Sequence, residues 1–233
     1  MAGRGARRVR PAALRCRWLT QCFVHWPYPP EQVQRLLPPG FVADEYRGAA
    51  WVSLTPFRMT AVRPHPVPAL PGLPGFAETN LRTYVRRPDG RDGLWFFSLE
   101  VTQPLMLGAV AAGAPYRLGR LRVAREGGRV VYSGARYGGG ASYRLVVRPG
   151  ERLAPRPELD VWLTDRWRAY TRRLGVVWEI PAEHEPWPLR EAAVESLEEN
   201  LRVAAGLPPC AEPPLVRYSP GVRDVRLGLP RPG

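Results

Sequence analysis

Along this chain apolar and polar residues alternate with a period of two in many short runs, and clusters of Gly and Pro separate the runs. The pattern reads as β-strands joined by turns, because successive side chains of a strand point to opposite faces. Residues 14–26 (LRCRWLTQCFVHW) are the first expected strand. Pro29 and Pro30 open a short helix over EQVQRLLP, in which Val33, Leu36 and Leu37 share a face, and Pro38-Pro39-Gly40 ends it. FVADEY and AAWVSLTPFRMTAV flank a turn at Arg47-Gly48, while ETNLRTYVRR and GLWFFSLEV flank PDGRDG, which gives two hairpins. QPLMLGAVAAGA reads as a short apolar helix packed flat on a sheet. YRLGRLRVAR, RVVYSGARY and ASYRLVVRP then form a meander with turns at residues 126–128 and 138–140.

In the last third, ELDVWLTDRWRAYTRR is helical and then extended, and ESLEENLRVAAG predicts a helix ended by Gly206. PLVRYSP and VRDVRLGL read as closing strands. Many short strands with three or four short helices define one α+β domain over residues 12–233. Its expected architecture is a closed or curved, mainly antiparallel β-barrel wrapped by a few short helices. Residues 1–11 read as a disordered basic tail. The Pro-rich stretch PHPVPALPGLPGF is a loop of a length that serves as a lid as readily as a stiff surface crossing.

Composition then narrows the chemistry. All 34 basic residues are arginine, and the net charge is +13. A guanidinium does not lose its proton at ordinary pH, so no side chain can form a Schiff base, anchor pyridoxal phosphate or complete a P-loop. The arginines are scattered and alternate along strands (Arg82 and Arg86; Arg120 and Arg122), as on solvated faces, which argues against a nucleic-acid partner. Three cysteines without metal-like spacing fit reduced thiols. The basic N-terminus lacks the apolar core of a signal peptide, and the longest apolar run, residues 105–112, is too short to span a bilayer. A cytoplasmic protein with no membrane association is therefore expected. Three dispersed histidines give no metal motif, and no G-x-S-x-G occurs, so no metal or other cofactor is expected.

Several segments, in order, carry a resemblance: WPYPPEQVQRLLPPGF, AAWVSLTPFRM, FAETNLRTYVR, GLWFFSLEV, GAPYRLGRLRV, LTDRWRAYTR and EHEPWPLREA. Over residues 18–229 the chain resembles the bacterial YqjF-like family of uncharacterised proteins, and more distantly the acetoacetate decarboxylase superfamily. The resemblance implies a barrel with a central cavity, helices around it, and a homo-oligomer. In the decarboxylases one segment supplies a catalytic glutamate and another, G-x-P-K-K-L-A, supplies paired lysines, the first of which forms the Schiff base. On this chain the glutamate corresponds to Glu78 in FAETN, and the lysines to Tyr116 and Arg117 in GAPYRLG. The decarboxylase frame is thus retained without its nucleophile.

The stretch FAETNLRTY sets Glu78, Asn80, Arg82 and Tyr84 on one strand face and Thr79, Leu81, Thr83 and Val85 on the other. If the sheet closes, the polar row faces its interior. Glu78 is then the candidate acid or base, Tyr116 the candidate donor to a developing oxyanion, and Asn80, Arg82 and Tyr84 substrate-binding groups. An Arg82–Glu78 structural ion pair is the competing reading. Arg117, Arg58 and His25 complete the candidate substrate contacts. The expected ligand is a small organic acid or an apolar carbonyl compound, handled by lyase- or isomerase-type acid–base chemistry. Non-catalytic ligand binding or a protein-interaction role is the alternative.

Overall fold

Hydrogen-bonded strands dominate the computed structural model, which describes residues 9–64 and 75–233. Residues 1–8 of the expected tail, and residues 65–74 of the Pro-rich loop with His65, lie outside the described residues. Val9, also assigned to that tail, is buried, and its amide donates to Glu183 Oε2 at 2.7 Å.

The strands are β1 (Leu14–Tyr28), β2 (Val42–Ala43), β3 (Glu45–Tyr46), β4 (Ala49–Pro64), β5 (Phe76–Arg86), β6 (Asp92–Val101) and β7 (Tyr116–Glu126). They continue as β8 (Arg129–Arg136), β9 (Ser142–Arg152), β10 (Arg168–Arg173), β11 (Val176–Glu183), β12 (Arg190–Glu199), β13 (Leu215–Leu227) and β14 (Arg231–Pro232). Helices are short: α1 (Pro30–Gln34), α2 (Glu158–Thr164), α3 (Leu201–Ala204) and a 3-10 segment over Pro104–Ala112.

Pairing runs β6-β7-β8-β9-β12-β13-β1-β4-β5 and returns to β6 through the β5–β6 ladder. Two strands fork. On the edge that β5 leaves free, β6 pairs in parallel with β7 at Leu99–Val101 and with β10 at Leu94–Trp95. Likewise β13 pairs with β12 near Arg217–Tyr218 and with β11 near Arg226–Leu227. The mostly antiparallel sheet therefore splits into a larger branch (β7, β8, β9, β12) and a smaller one (β10, β11), with β1, β4 and β5 common to both. Each side of the shared strands has its own apolar core. Cys22, Val24, Leu54 and Leu81 face the larger branch with Tyr132 and Leu145. Phe23, Phe57, Met59 and Phe76 face the other way with Leu99 and Trp187.

The structure corrects two expected elements. The helix expected over ESLEENLRVAAG is mostly strand: β12 runs to Glu199, and α3 covers only Leu201–Ala204. The β9–β12 ladder, with Glu195 bonded to both Arg129 and Arg148, outweighs the weak helix preference of Glu, Leu and Ala. The two closing strands are one strand, β13. It passes β1 so closely at Gly221 (φ +119°) that a Cβ there would collide with the Trp18 carbonyl. In the 3-10 segment Leu105 and Val110 are exposed while Met106 and Ala109 pack inward.

Candidate active site

A cavity of about 230 Å³ lies where β1, β4, β5 and β6 face the smaller branch. Period-two alternation along β5 places Glu78, Asn80 and Arg82 in its wall, while Thr79 and Leu81 turn to the opposite core. Two irregularities adjust neighbouring strands to this row. A shift in the β5–β6 register beyond Leu81–Ser98 lets both Phe96 and Leu99 reach the cavity, although they differ in parity. In β1, Thr20 adopts a left-handed backbone (φ +53°), and Trp18 and Gln21, three residues apart, both line the cavity. An extra residue in a strand re-aims side chains in this way. Phe57, Met59, Met106 and Trp187 make much of the remaining wall apolar.

Glu78 is 4% exposed, and no cation stands within 4.0 Å of it among the described residues. Its partner is the Tyr116 hydroxyl, which donates to Oε2 at 3.4 Å. Burial disfavours the carboxylate and pushes Glu78 up to about 8, while the Tyr116 bond pulls weakly the other way. Glu78 is thus mainly a neutral acid at pH 7. Burial and the neighbouring Glu78 push Tyr116 well above its ordinary value, so it stays a neutral phenol.

Arg82 is also buried, and no carboxylate pairs with it among the described residues, so the Arg82–Glu78 ion pair does not form. Desolvation is the main cause lowering its pKa, and the Tyr84 hydroxyl beside it opposes that. Its Nε has no hydrogen-bond partner, nor do Asn80 Oδ1 and Gln21 Oε1, which belong to the same wall. Buried polar atoms are ordinarily satisfied, so their clustering at one cavity is a signature of a ligand site. The other cavity arginines, unlike Arg82, have carboxylate partners. Arg166 Nη1 donates to Asp44 and Asp92, both at 2.9 Å, and Arg168 reaches Asp92 Oδ1 at 3.1 Å.

The remaining sequence candidates do not line the cavity. Tyr84 is buried behind Arg82, with its hydroxyl 2.8 Å from Ser53 Oγ. Ser53 Oγ in turn lies 2.6 Å from His25 Nδ1. His25 is buried, and desolvation, with Arg82 and Arg217 nearby, lowers its pKa well below the ordinary value. The Tyr84 hydroxyl also bonds Arg82, and His25 is linked to that hydroxyl only through Ser53. Arg58 is exposed on the opposite face of β4, and Arg117, adjacent to Tyr116 in an alternating strand, is exposed as well. Gln21, Arg166, Arg168 and His184 are cavity residues that the sequence reading did not place there. Arg166 and Arg168 carried a signal, since both fall in LTDRWRAYTR. His184 stands between two glutamates, and no spacing rule joins it to β5. Among the described residues, no group of three or more His, Cys, Asp or Glu side chains is arranged to hold a metal ion. No helix among them is long and apolar enough to cross a membrane.

The architecture is that of acetoacetate decarboxylase-like proteins. The Legionella pneumophila acetoacetate decarboxylase shares it with a TM-score of 0.64 at 15% identity, over 100% of this chain and 92% of that one. An acetoacetate decarboxylase-like enzyme from Sphingomonas wittichii RW1 scores 0.63 at 17% identity, over 100% and 97%. The enduracididine biosynthesis enzyme MppR, complexed with pyruvate, scores 0.66 at 16% identity, over 99% and 93%. At such identities the likeness is one of fold. Within that class, the chain belongs to DUF2071, a family described as an uncharacterized conserved protein, whose model matches residues 15–223. The uncharacterized protein YqjF of Bacillus subtilis (strain 168) is 32% identical over 213 residues, 88% of this chain and 87% of that protein.

Proposed function

We propose that this chain is a cytoplasmic, barrel-type enzyme that binds a small organic acid in the cavity. It performs lyase- or isomerase-type acid–base chemistry without a Schiff base. One observation carries the reading: a carboxyl and a guanidinium, both buried and neither neutralised by the other, share one largely apolar cavity. Leaving a buried guanidinium unpaired is costly, and a bound carboxylate would satisfy it bidentately. A carboxyl group held protonated at neutral pH can donate to a developing oxyanion. At about 230 Å³ the cavity is below the ~300–1,000 Å³ typical of drug-sized ligands, which suits a molecule of a few heavy atoms.

The pyruvate complex of MppR, alike in fold, suggests a short 2-oxo acid as the ligand class. Arg82 would hold its carboxylate, Glu78 and Tyr116 its carbonyl oxygen, and Asn80 a further polar atom. The imine route is closed by composition, because the chain contains no lysine. That same Tyr116, standing where the resemblance places lysine, is what favours the second reading, a non-catalytic ligand-binding homo-oligomer.

Thermal denaturation with added pyruvate or 2-oxobutanoate separates the readings. A specific ligand at 100 times its Kd stabilises the fold by about 2.7 kcal/mol. Stabilisation should vanish in Arg82→Gln and persist in Glu78→Gln, whose turnover should be lost. Unchanged affinity and activity in both variants would falsify the site assignment. Stabilisation of the native protein without any turnover selects the non-catalytic reading.

A further inference from the structure

The cavity holds a third proton-carrying group. His184 follows β11, is 7% exposed and lines the cavity. Three indoles cage its ring, with centroids of Trp167, Trp187 and Trp18 at 4.9, 5.0 and 5.8 Å. Nδ1 lies 2.6 Å from the Glu185 carbonyl oxygen. A carbonyl only accepts, so Nδ1 carries the hydrogen. In the neutral ring this leaves Nε2 with its lone pair, and Nε2 has no hydrogen-bond partner among the described residues. The tautomer is thus set from outside the cavity, as in other histidines held by a backbone carbonyl for proton transfer.

Resting on the reading of this cavity as a 2-oxo acid site, we infer that His184 is its catalytic base. Nε2 removes a proton from the carbon next to the carbonyl while Glu78 protonates the carbonyl oxygen. The C–H electron pair becomes the C=C bond of an enol, and the C=O π pair takes the Glu78 proton. Imidazolium and carboxylate remain. Return of one proton to carbon and the other to Glu78 restores both groups without any co-reactant.

The charges around His184 favour this cycle once substrate is bound. Burial is the largest cause lowering its pKa, and Arg82 adds to it, whereas the Glu185 carbonyl bond, Asp165 and Glu185 oppose it. The free imidazole is therefore neutral and ready to accept a proton. A carboxylate docked on Arg82 offsets the charge that penalises imidazolium, so the substrate strengthens its own base.

The test is hydrogen–deuterium exchange at C3 of 2-oxobutanoate in D₂O, followed by proton NMR. The native protein should accelerate exchange. His184→Gln should slow it by at least about 100-fold, while 2-oxobutanoate still raises the melting temperature as it does in the native protein. Exchange at the native rate in that variant overturns the role of His184 and leaves the cavity reading standing. Native stabilisation without exchange likewise overturns the inference alone, and absence of native stabilisation overturns both. A second measurement does not depend on a folded variant. With [¹⁵N]histidine in the native protein, His184 should be neutral with hydrogen on Nδ1 at pH 7, and its proton affinity should rise on adding 2-oxobutanoate. A ring protonated at pH 7, or an unchanged proton affinity, contradicts the inference.

Discussion

Glu78 and Glu100 stand on neighbouring strands, each 4% exposed, yet they meet opposite surroundings. Thr79 lies across the ladder from Glu100, so Glu100 takes the face opposite to Glu78. There Arg136 clamps it with two bonds, 2.5 and 3.2 Å. Glu78 has only a phenol, at 3.4 Å. Other acids outside the cavity follow Glu100: Glu179 bonds Arg91 and Arg231, and Asp160 bonds Arg217. With 34 arginines to 21 acids, cations are plentiful, so a carboxyl left without one is held apart by the fold. Paired acids hold strands together, and the unpaired one is available to a ligand.

The comparison can be broken at five positions. Removing the clamp should cost most. Arg136→Ala leaves Glu100 buried and unpaired, and urea denaturation should show a loss of about 3–5 kcal/mol. A loss under 1 kcal/mol would mean that Glu100 is no more constrained than Glu78.

Glu78 should show itself through pH. Its folded-state pKa, about 8, exceeds the ordinary 4.5, so the folded form binds the proton more tightly. This contribution is fully present below about 4.5 and is lost as pH rises through about 8. At about 1.4 kcal/mol per unit it amounts to a few kcal/mol. Glu78→Gln should therefore flatten the stability profile and be the more stable protein at pH 9. Parallel profiles for the two proteins from pH 5 to 9 would contradict the raised value.

Smaller effects test positions turned away from the cavity. Thr79 Oγ1 and Tyr143 Oη lie 2.6 Å apart in the core away from the cavity. Thr79→Val orphans the phenol and should cost about 1–3 kcal/mol by denaturation, with ligand stabilisation unchanged. Arg58→Ala and Arg117→Ala, on exposed positions, should change stability by no more than about 0.5 kcal/mol. They should also leave 2-oxobutanoate binding intact, and a tenfold affinity loss in either would return that residue to the site.

Local pattern made the site half legible. The alternation in FAETNLRTY placed Glu78, Asn80 and Arg82 on one face, and the geometry joins them in one cavity. The same rule put Tyr84 with them, but its hydroxyl stops at Ser53, outside the cavity. Alternation cannot report how far a strand continues past the cavity's edge. Gln21 and His184 were not legible, because a left-handed residue in β1 and the fork at β13 position them.

By itself, the sequence settled what depends on residue type and period: a mostly β chain, hairpin turns at Arg47-Gly48 and Gly127-Gly128, and no amine for an imine. Only the tertiary structure decided which charges are paired, because pairing depends on approach between strands remote in sequence. It also made ESLEE a strand, since a ladder with β9 outweighs a weak local preference. The pairing of Glu100 and the isolation of Glu78 have the same origin. A strand's two faces are fixed by its own sequence, and what packs on each face is fixed by the rest of the chain.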